Sequence, residues 1–135
     1  MKPVIIIPAY NPPKSFISLL QNVRNISSIP IIIIDDGSIP IIEVENINTI
    51  LLRNKNNSGK GFSLVRGFKE ALDRGYSHAI TMDADSQHDP NILQYFIAIN
   101  ENISIVLGNR QFNTNMPLHR RISNKLTSSV ISYIC

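Results

Sequence analysis

Val4-Ile5-Ile6-Ile7 and Ile31-Ile32-Ile33-Ile34 are two unbroken β-branched runs, each followed by polar residues: Pro8-Ala9-Tyr10-Asn11 and Asp35-Asp36-Gly37-Ser38. Apolar runs of this length suit strands buried on both faces, as in a parallel sheet. Between them, Phe16, Leu19, Leu20 and Val23 follow the i, i+3, i+4, i+7 spacing of one helix face, entered through Pro12-Pro13. The pattern then predicts a strand over 49–52 and a helix from near Lys60 with Leu64, Val65, Phe68 and Leu72 on one side. A fourth strand is expected over 78–82. Asp89-Pro90 reads as an N-cap and N1 pair opening a helix that buries Leu93, Phe96 and Ile97. Residues 103–107 read as a fifth strand, while 41–48 give no clear pattern. The order implies an α/β domain with a mainly parallel central sheet flanked by helices.

The chain has 135 residues, 43% hydrophobic and 17% charged, which suits one folded domain and excludes a disordered chain. No apolar run approaches the roughly 18 residues that a membrane span needs. The apolar stretch before Pro8 is too short for a signal sequence. The lone cysteine, Cys135, leaves neither a disulfide framework nor a cysteine-based zinc site, so a cytoplasmic setting is expected. Charge is uneven. Through Glu101 nine Lys and Arg stand against all ten Asp and Glu; beyond it come Arg110, Arg120, Arg121 and Lys125 with no acid. Such a segment meets phosphates or anionic lipid, or is simply a solvated helix face. Without interleaved aromatics it is a thin footprint for nucleic acid, which is not an expected partner.

In parallel sheets ligands sit at the carboxyl ends of strands. There this sequence places an aromatic loop, the pair Asp35-Asp36, and Asp83-Ala84-Asp85-Ser86-Gln87-His88. Asp83 and Asp85 are one residue apart and point the same way in extended backbone. Two carboxylates that close repel unless a cation or proton lies between them. Mg²⁺ or Mn²⁺ would suit them, with Gln87 adding a neutral oxygen; a solvated turn is the other reading. An EF-hand is excluded, because His88 and Gln94 stand where it needs Gly and Glu. Of the adjacent pair, Asp36 is the candidate to accept hydrogen bonds from a nucleoside, and Asp35 is expected to turn toward the scaffold. Asn57-Ser58-Gly59-Lys60-Gly61 before a helix reads equally as a phosphate contact or an ordinary junction. It is not a Walker A loop: Asn54 stands in the place of the first glycine, and no Ser or Thr follows Lys60. His88 reads as a turn residue or a substrate contact, and His119 is assigned no role.

Taken in order, Ile7-Pro8-Ala9-Tyr10-Asn11, Ile34-Asp35-Asp36-Gly37-Ser38, the Gly59-Lys60-Gly61 block and Met82-Asp83-Ala84-Asp85-Ser86-Gln87-His88-Asp89-Pro90 resemble the family 2 glycosyltransferases of the GT-A fold. The closest resemblance is to the dolichyl- and polyprenyl-phosphate sugar synthase branch, over residues 3 to about 125. It implies a GT-A (nucleotide-diphospho-sugar transferase) fold, incomplete in this chain. One domain over 1–135 is expected, with a donor-binding half to about 110 and a basic amphipathic tail from about 117. The implied activity is inverting transfer of a hexose from UDP- or GDP-sugar, with Mg²⁺ or Mn²⁺, to a polyprenyl phosphate. A glycan hydroxyl acceptor and a non-catalytic nucleotide-binding fragment are the alternatives.

By the resemblance, the nucleotide sugar meets Pro8, Ala9, Tyr10, Asn11, Asp36, Lys60, Asp83, Ala84 and Asp85. The metal takes Asp83, Asp85 and Gln87, with Asp85 and Arg110 as the catalytic residues. Arg110, Arg120 and Arg121 meet the acceptor phosphate, which needs cations to hold it but no general base. In the tail, Ile122, Leu126, Val130, Tyr133 and Ile134 recur at helical spacing behind Arg120, Arg121 and Lys125. That helix would either cover the core or lie on the cytoplasmic face of a membrane. A sheet edge left uncovered by the short chain would favour a homodimer.

Overall fold

The computed structural model describes residues 1–44, 48–86, 89–99, 105, 106 and 108. Met1–Ser104 form one compact unit and Ile105–Cys135 a second, which holds only the last three described residues. Among the described residues, every strand and helix belongs to the first unit.

Val4 through Ile7 and Ile31 through Ile34 are fully buried, because strands β1 (Pro3–Ala9) and β2 (Ile31–Asp35) lie side by side at the centre of a sheet. The neighbours are β3 (Thr49–Arg53) and β4 (His78–Thr81), in the order β3-β2-β1-β4, and every pairing is parallel. Alternate side chains go to opposite faces. Ile5, Ile7, Ile31 and Ile33 pack with Phe16, Leu19, Leu20 and Val23 of helix α1 (Ser15–Ile26). Val4, Ile6, Ile32 and Ile34 pack with Leu64 and Ala71 of helix α2 (Lys60–Asp73). A short 3₁₀ turn (Pro90–Ile92) leads into α3 (Leu93–Ile97), capped as expected by Asp89, whose side chain accepts from Asn91 N at 2.9 Å. Only Leu93 of α3 is fully buried; Phe96 and Ile97 are half-buried.

Apart from Leu64, the apolar side expected for α2 does not face the sheet. Ser63, Gly67 and Ala71 do, while Val65, Phe68 and Leu72 are 53%, 40% and 72% exposed. The reason is steric. A Cβ on Gly67 would lie 2.6 Å from Ile6 Cγ2 and 2.8 Å from Ile34 Cδ1, so only a seam of small residues lets the helix approach this closely.

Of the expected fifth strand, Ile105 and Val106 are described and carry no strand assignment. The basic tail, with Arg110, Arg120 and Arg121, lies outside the described residues, as do residues 45–47 of the segment without clear pattern. Ile42 of that segment is buried against the α1 side. Among the described residues, no helix is long and apolar enough to cross a membrane.

Gly67→Val should therefore overpack the α2 seam and cost about 1–3 kcal/mol. Urea denaturation would show it as a lowered midpoint with an unchanged slope. An unaltered midpoint would mean that α2 can withdraw from β1 and β2 at no cost.

Candidate functional site

The strand order positions the site. From β1 the chain moves through α1 to β2 and β3 on one side, and then through α2 to β4 on the other. Right-handed crossovers in opposite directions place the two helices on opposite faces and leave a crevice at the carboxyl ends, where the order reverses. The register lines those ends up: Ala9 pairs with Asp35, and Asp35 with Arg53. β4 is level with them, since Thr81 pairs with Ile6 and Met82 N donates to Ile6 O at 3.0 Å.

An open cleft of about 500 Å³ lies at this reversal. Pro8, Ala9, Tyr10, Asn11, Asp36, Lys60, Asp83, Ala84 and Asp85 all line it, so every residue expected at the donor nucleotide stands on one surface. Among the described residues, Pro12, Pro13, Asn57, Gly59 and Ser63 also line it. Gln87, His88, Arg110, Arg120 and Arg121 are outside the described residues.

Asn11, at φ 43, is in the left-handed region that Asn tolerates. Its backbone N–H donates to Ser38 Oγ and its Oδ1 accepts from Ile39 N, both at 2.9 Å, which stitches the first loop to the second. Asp35 is wholly buried and turns to the scaffold, as its place in the strand alternation predicts. Its Oδ1 accepts from Ser38 N at 2.8 Å, and its Oδ2 pairs with the Arg53 guanidinium, which also donates to Ser38 O.

Asp36 is also buried, and it holds the loop before α2. Oδ1 accepts from Asn54 Nδ2 at 2.6 Å and from Ser58 N at 3.0 Å; Oδ2 accepts from Gly59 N at 2.8 Å. Gly59 sits at φ 91, a conformation that favours glycine. The amides of Ser58 and Gly59, which a phosphate-binding junction would offer to a ligand, are thus already given to an internal anion. Three of a carboxylate's roughly four acceptor sites are taken. Burial pushes the Asp36 carboxyl up, but hydrogen bonds from Asn54, Ser58 and Gly59, with the Ser63 hydroxyl close by, outweigh it and hold the pKa below the ordinary value.

Sequence reasoning missed the supports of this clamp. Asn54 is buried and also donates to Ser63 Oγ at 3.1 Å, while Arg66 donates to Asn54 Oδ1 and to Arg53 O. The one local signal was a polar Arg53-Asn54 pair at the end of β3.

Lys60 reaches across the cleft, its Nζ 2.6 Å from Asp83 Oδ1. Asp85 is exposed on the same surface. Ser86 follows at φ 60 and donates from Oγ to Ser15 Oγ at 3.1 Å, tying this loop to the start of α1. Among the described residues, no group of three or more His, Cys, Asp or Glu could hold a metal. The donor set nevertheless suits a hard divalent ion: two carboxylates one residue apart, with phosphate oxygens of a ligand and water to complete the shell. The charge balance fits too. Among the described residues the lining has three carboxylates and one ammonium, a balance in which a cation would ease the entry of an anionic ligand.

Comparison with known proteins identifies the family. The family described as Glycosyl transferase family 2 matches residues 4–132. A UDP-N-acetylglucosamine–dolichyl-phosphate N-acetylglucosaminyltransferase of Methanococcus voltae is 32% identical, over 96% of this chain and 61% of the relative. A dolichol-phosphate mannosyltransferase of Mycosarcoma maydis is 34% identical, over 76% of this chain and 38% of the relative. An undecaprenyl-phosphate mannosyltransferase of Micrococcus luteus is 26% identical, over 95% and 56% respectively. The chain thus spans roughly half the length of these curated relatives.

The Asp36 clamp has a pH signature. A carboxylate with a depressed folded pKa adds stability that is complete above its unfolded pKa of about 3.9 and is lost as pH falls through the folded value. Thermal unfolding between about pH 5 and pH 2 should therefore show a smaller acid loss in Asp36→Asn than in the native chain. At neutral pH that variant should be less stable by about 1–3 kcal/mol, because an amide NH₂ cannot accept from these donors. Equal acid slopes would remove Asp36 from the stability account.

Proposed function

The chain belongs to glycosyl transferase family 2, and from that premise we propose that its cleft binds a nucleotide sugar together with a divalent cation, for transfer of the hexose to a polyprenyl phosphate. The observation that supports this best is the convergence of the Pro8–Asn11 loop, Asp36, Lys60 and the Asp83-Ala84-Asp85 loop on one cleft at the sheet's reversal.

In this reading the Pro8–Asn11 loop meets the nucleoside. Asp36 fixes the wall of the cleft and offers its remaining acceptor position to a ribose hydroxyl or base N–H. Lys60 reaches the diphosphate. Asp83 and Asp85, with Gln87, would hold Mg²⁺ or Mn²⁺, which when bound neutralises charge developing on the diphosphate leaving group. The family resemblance assigns the acceptor phosphate to Arg110 with Arg120 or Arg121, and the transfer would invert the anomeric carbon.

The acceptor class rests on two things. The three relatives are named for dolichyl, dolichol and undecaprenyl phosphates. Among the described residues the cleft's carboxylates are Asp36, which accepts hydrogen bonds from the protein, and Asp83 and Asp85, which this reading assigns to the cation. A hydroxyl acceptor would need a general base, whereas a phosphate is already ionised at neutral pH. A lipid-linked phosphate is presented at a membrane surface, which the basic segment beyond about residue 117 suits by charge.

Calorimetric titration with UDP and GDP, with and without Mn²⁺, tests the donor half of this reading. Mn²⁺-dependent binding is expected, weakened at least about tenfold in Asp85→Ala, equivalent to about 1.4 kcal/mol. Binding that ignores both the metal and Asp85 would overturn it.

A further inference from the structure

The ion pair between Lys60 and Asp83 occupies one of the two carboxylates that a cation would use. The ammonium lies 2.6 Å from Asp83 Oδ1, and the two side chains are 60% and 37% exposed, so solvent reaches both. Exposed pairs of this kind are weak and exchange readily. The backbone beneath Lys60 is fixed by contrast, because Ser58 and Gly59 both donate to Asp36. Lys60 is thus a cation on a flexible stem mounted on an anchored base. Among the described residues, the charged side chains lining the cleft are Asp36, Lys60, Asp83 and Asp85. Asp36 already accepts three hydrogen bonds from the protein, whereas Asp83, paired with Lys60, and Asp85 stand on the open side of the cleft.

We propose that Lys60 is the resident counter-cation of this site and exchanges with the divalent ion. Before ligand enters, its ammonium balances Asp83. When a metal–nucleotide diphosphate arrives, Asp83 passes to the metal, and the released ammonium pairs with the diphosphate. No bond is made or broken; two ion pairs are re-partnered. The inference rests on the donor reading above and adds a feature that a simple phosphate contact lacks. Lys60 opposes the metal when the metal comes alone, and favours it when it arrives with the nucleotide. The site would therefore favour metal that arrives with the donor over free metal.

Those two effects have opposite signs, which makes them measurable on the whole chain. Mn²⁺ alone, followed by the electron paramagnetic resonance signal of the free ion, should bind Lys60→Met more tightly than the native chain, by about threefold or more. UDP or GDP with Mn²⁺, followed by calorimetry, should bind the same variant at least about tenfold more weakly. Lys60→Gln should repeat both shifts, with circular dichroism confirming that each variant is folded. Metal affinity that is unchanged or lowered in both variants, in a native chain that binds Mn²⁺ and nucleotide, overturns the exchange and leaves the donor reading intact. A native chain that binds neither overturns both.

Discussion

Burial of β1 and β2 on both faces is the constraint that shapes the rest of the molecule. Val4 through Ile7 and Ile31 through Ile34 give up all contact with water, which requires a helix on each side of the sheet. Two helices on opposite faces require crossovers in opposite directions, and those directions create the reversal between β1 and β4. The cleft is the gap that this reversal leaves. Residues from four distant parts of the chain meet in it, because the strands β1, β2 and β4 end at one level and α2 begins beside them.

The polar residues at those ends divide into scaffold and surface. Asp35 faces inward and pairs with Arg53, so its charge is spent on holding β2 to β3 and the turn at Ser38. Asp36, the next residue, takes the amides of Ser58 and Gly59 at the start of α2. A helix start favours an anion, and here the anion belongs to the protein. One buried carboxylate thereby fixes the backbone under Lys60, while the lysine's own side chain extends into solvent. Rigid backbone under an exposed, flexible charge is a useful arrangement for a ligand that brings its own cation.

Much of this was legible in the sequence. The isoleucine runs announced two doubly buried strands, and alternation turned Asp35 toward the scaffold, where Asp36 proved to be held by protein donors as well. The polar clusters at the strand ends located the cleft. Three features were not legible, each for a physical reason. The α2 seam of Ser63, Gly67 and Ala71 is invisible to a search for bulky apolar residues, because close approach selects for absence of side chain. The support of Asp36 by Asn54 joins residues 18 apart, and that of Asn54 by Arg66 spans another 12. The Lys60–Asp83 pair spans 23 residues and exists only because α2 begins across the cleft from the end of β4. Sequence patterns report local periodicity, whereas these contacts are set by the tertiary path.

The most direct test of the central claim, that the reversal cleft is a joint site for metal and nucleotide, is paramagnetic broadening of backbone amide resonances by Mn²⁺ in the presence of UDP or GDP. The account predicts broadening centred on Asp83 to Ser86, extending to Tyr10, Asn11 and Lys60, and relieved by excess Mg²⁺. Broadening centred elsewhere, or none in a folded chain that holds nucleotide, would contradict it.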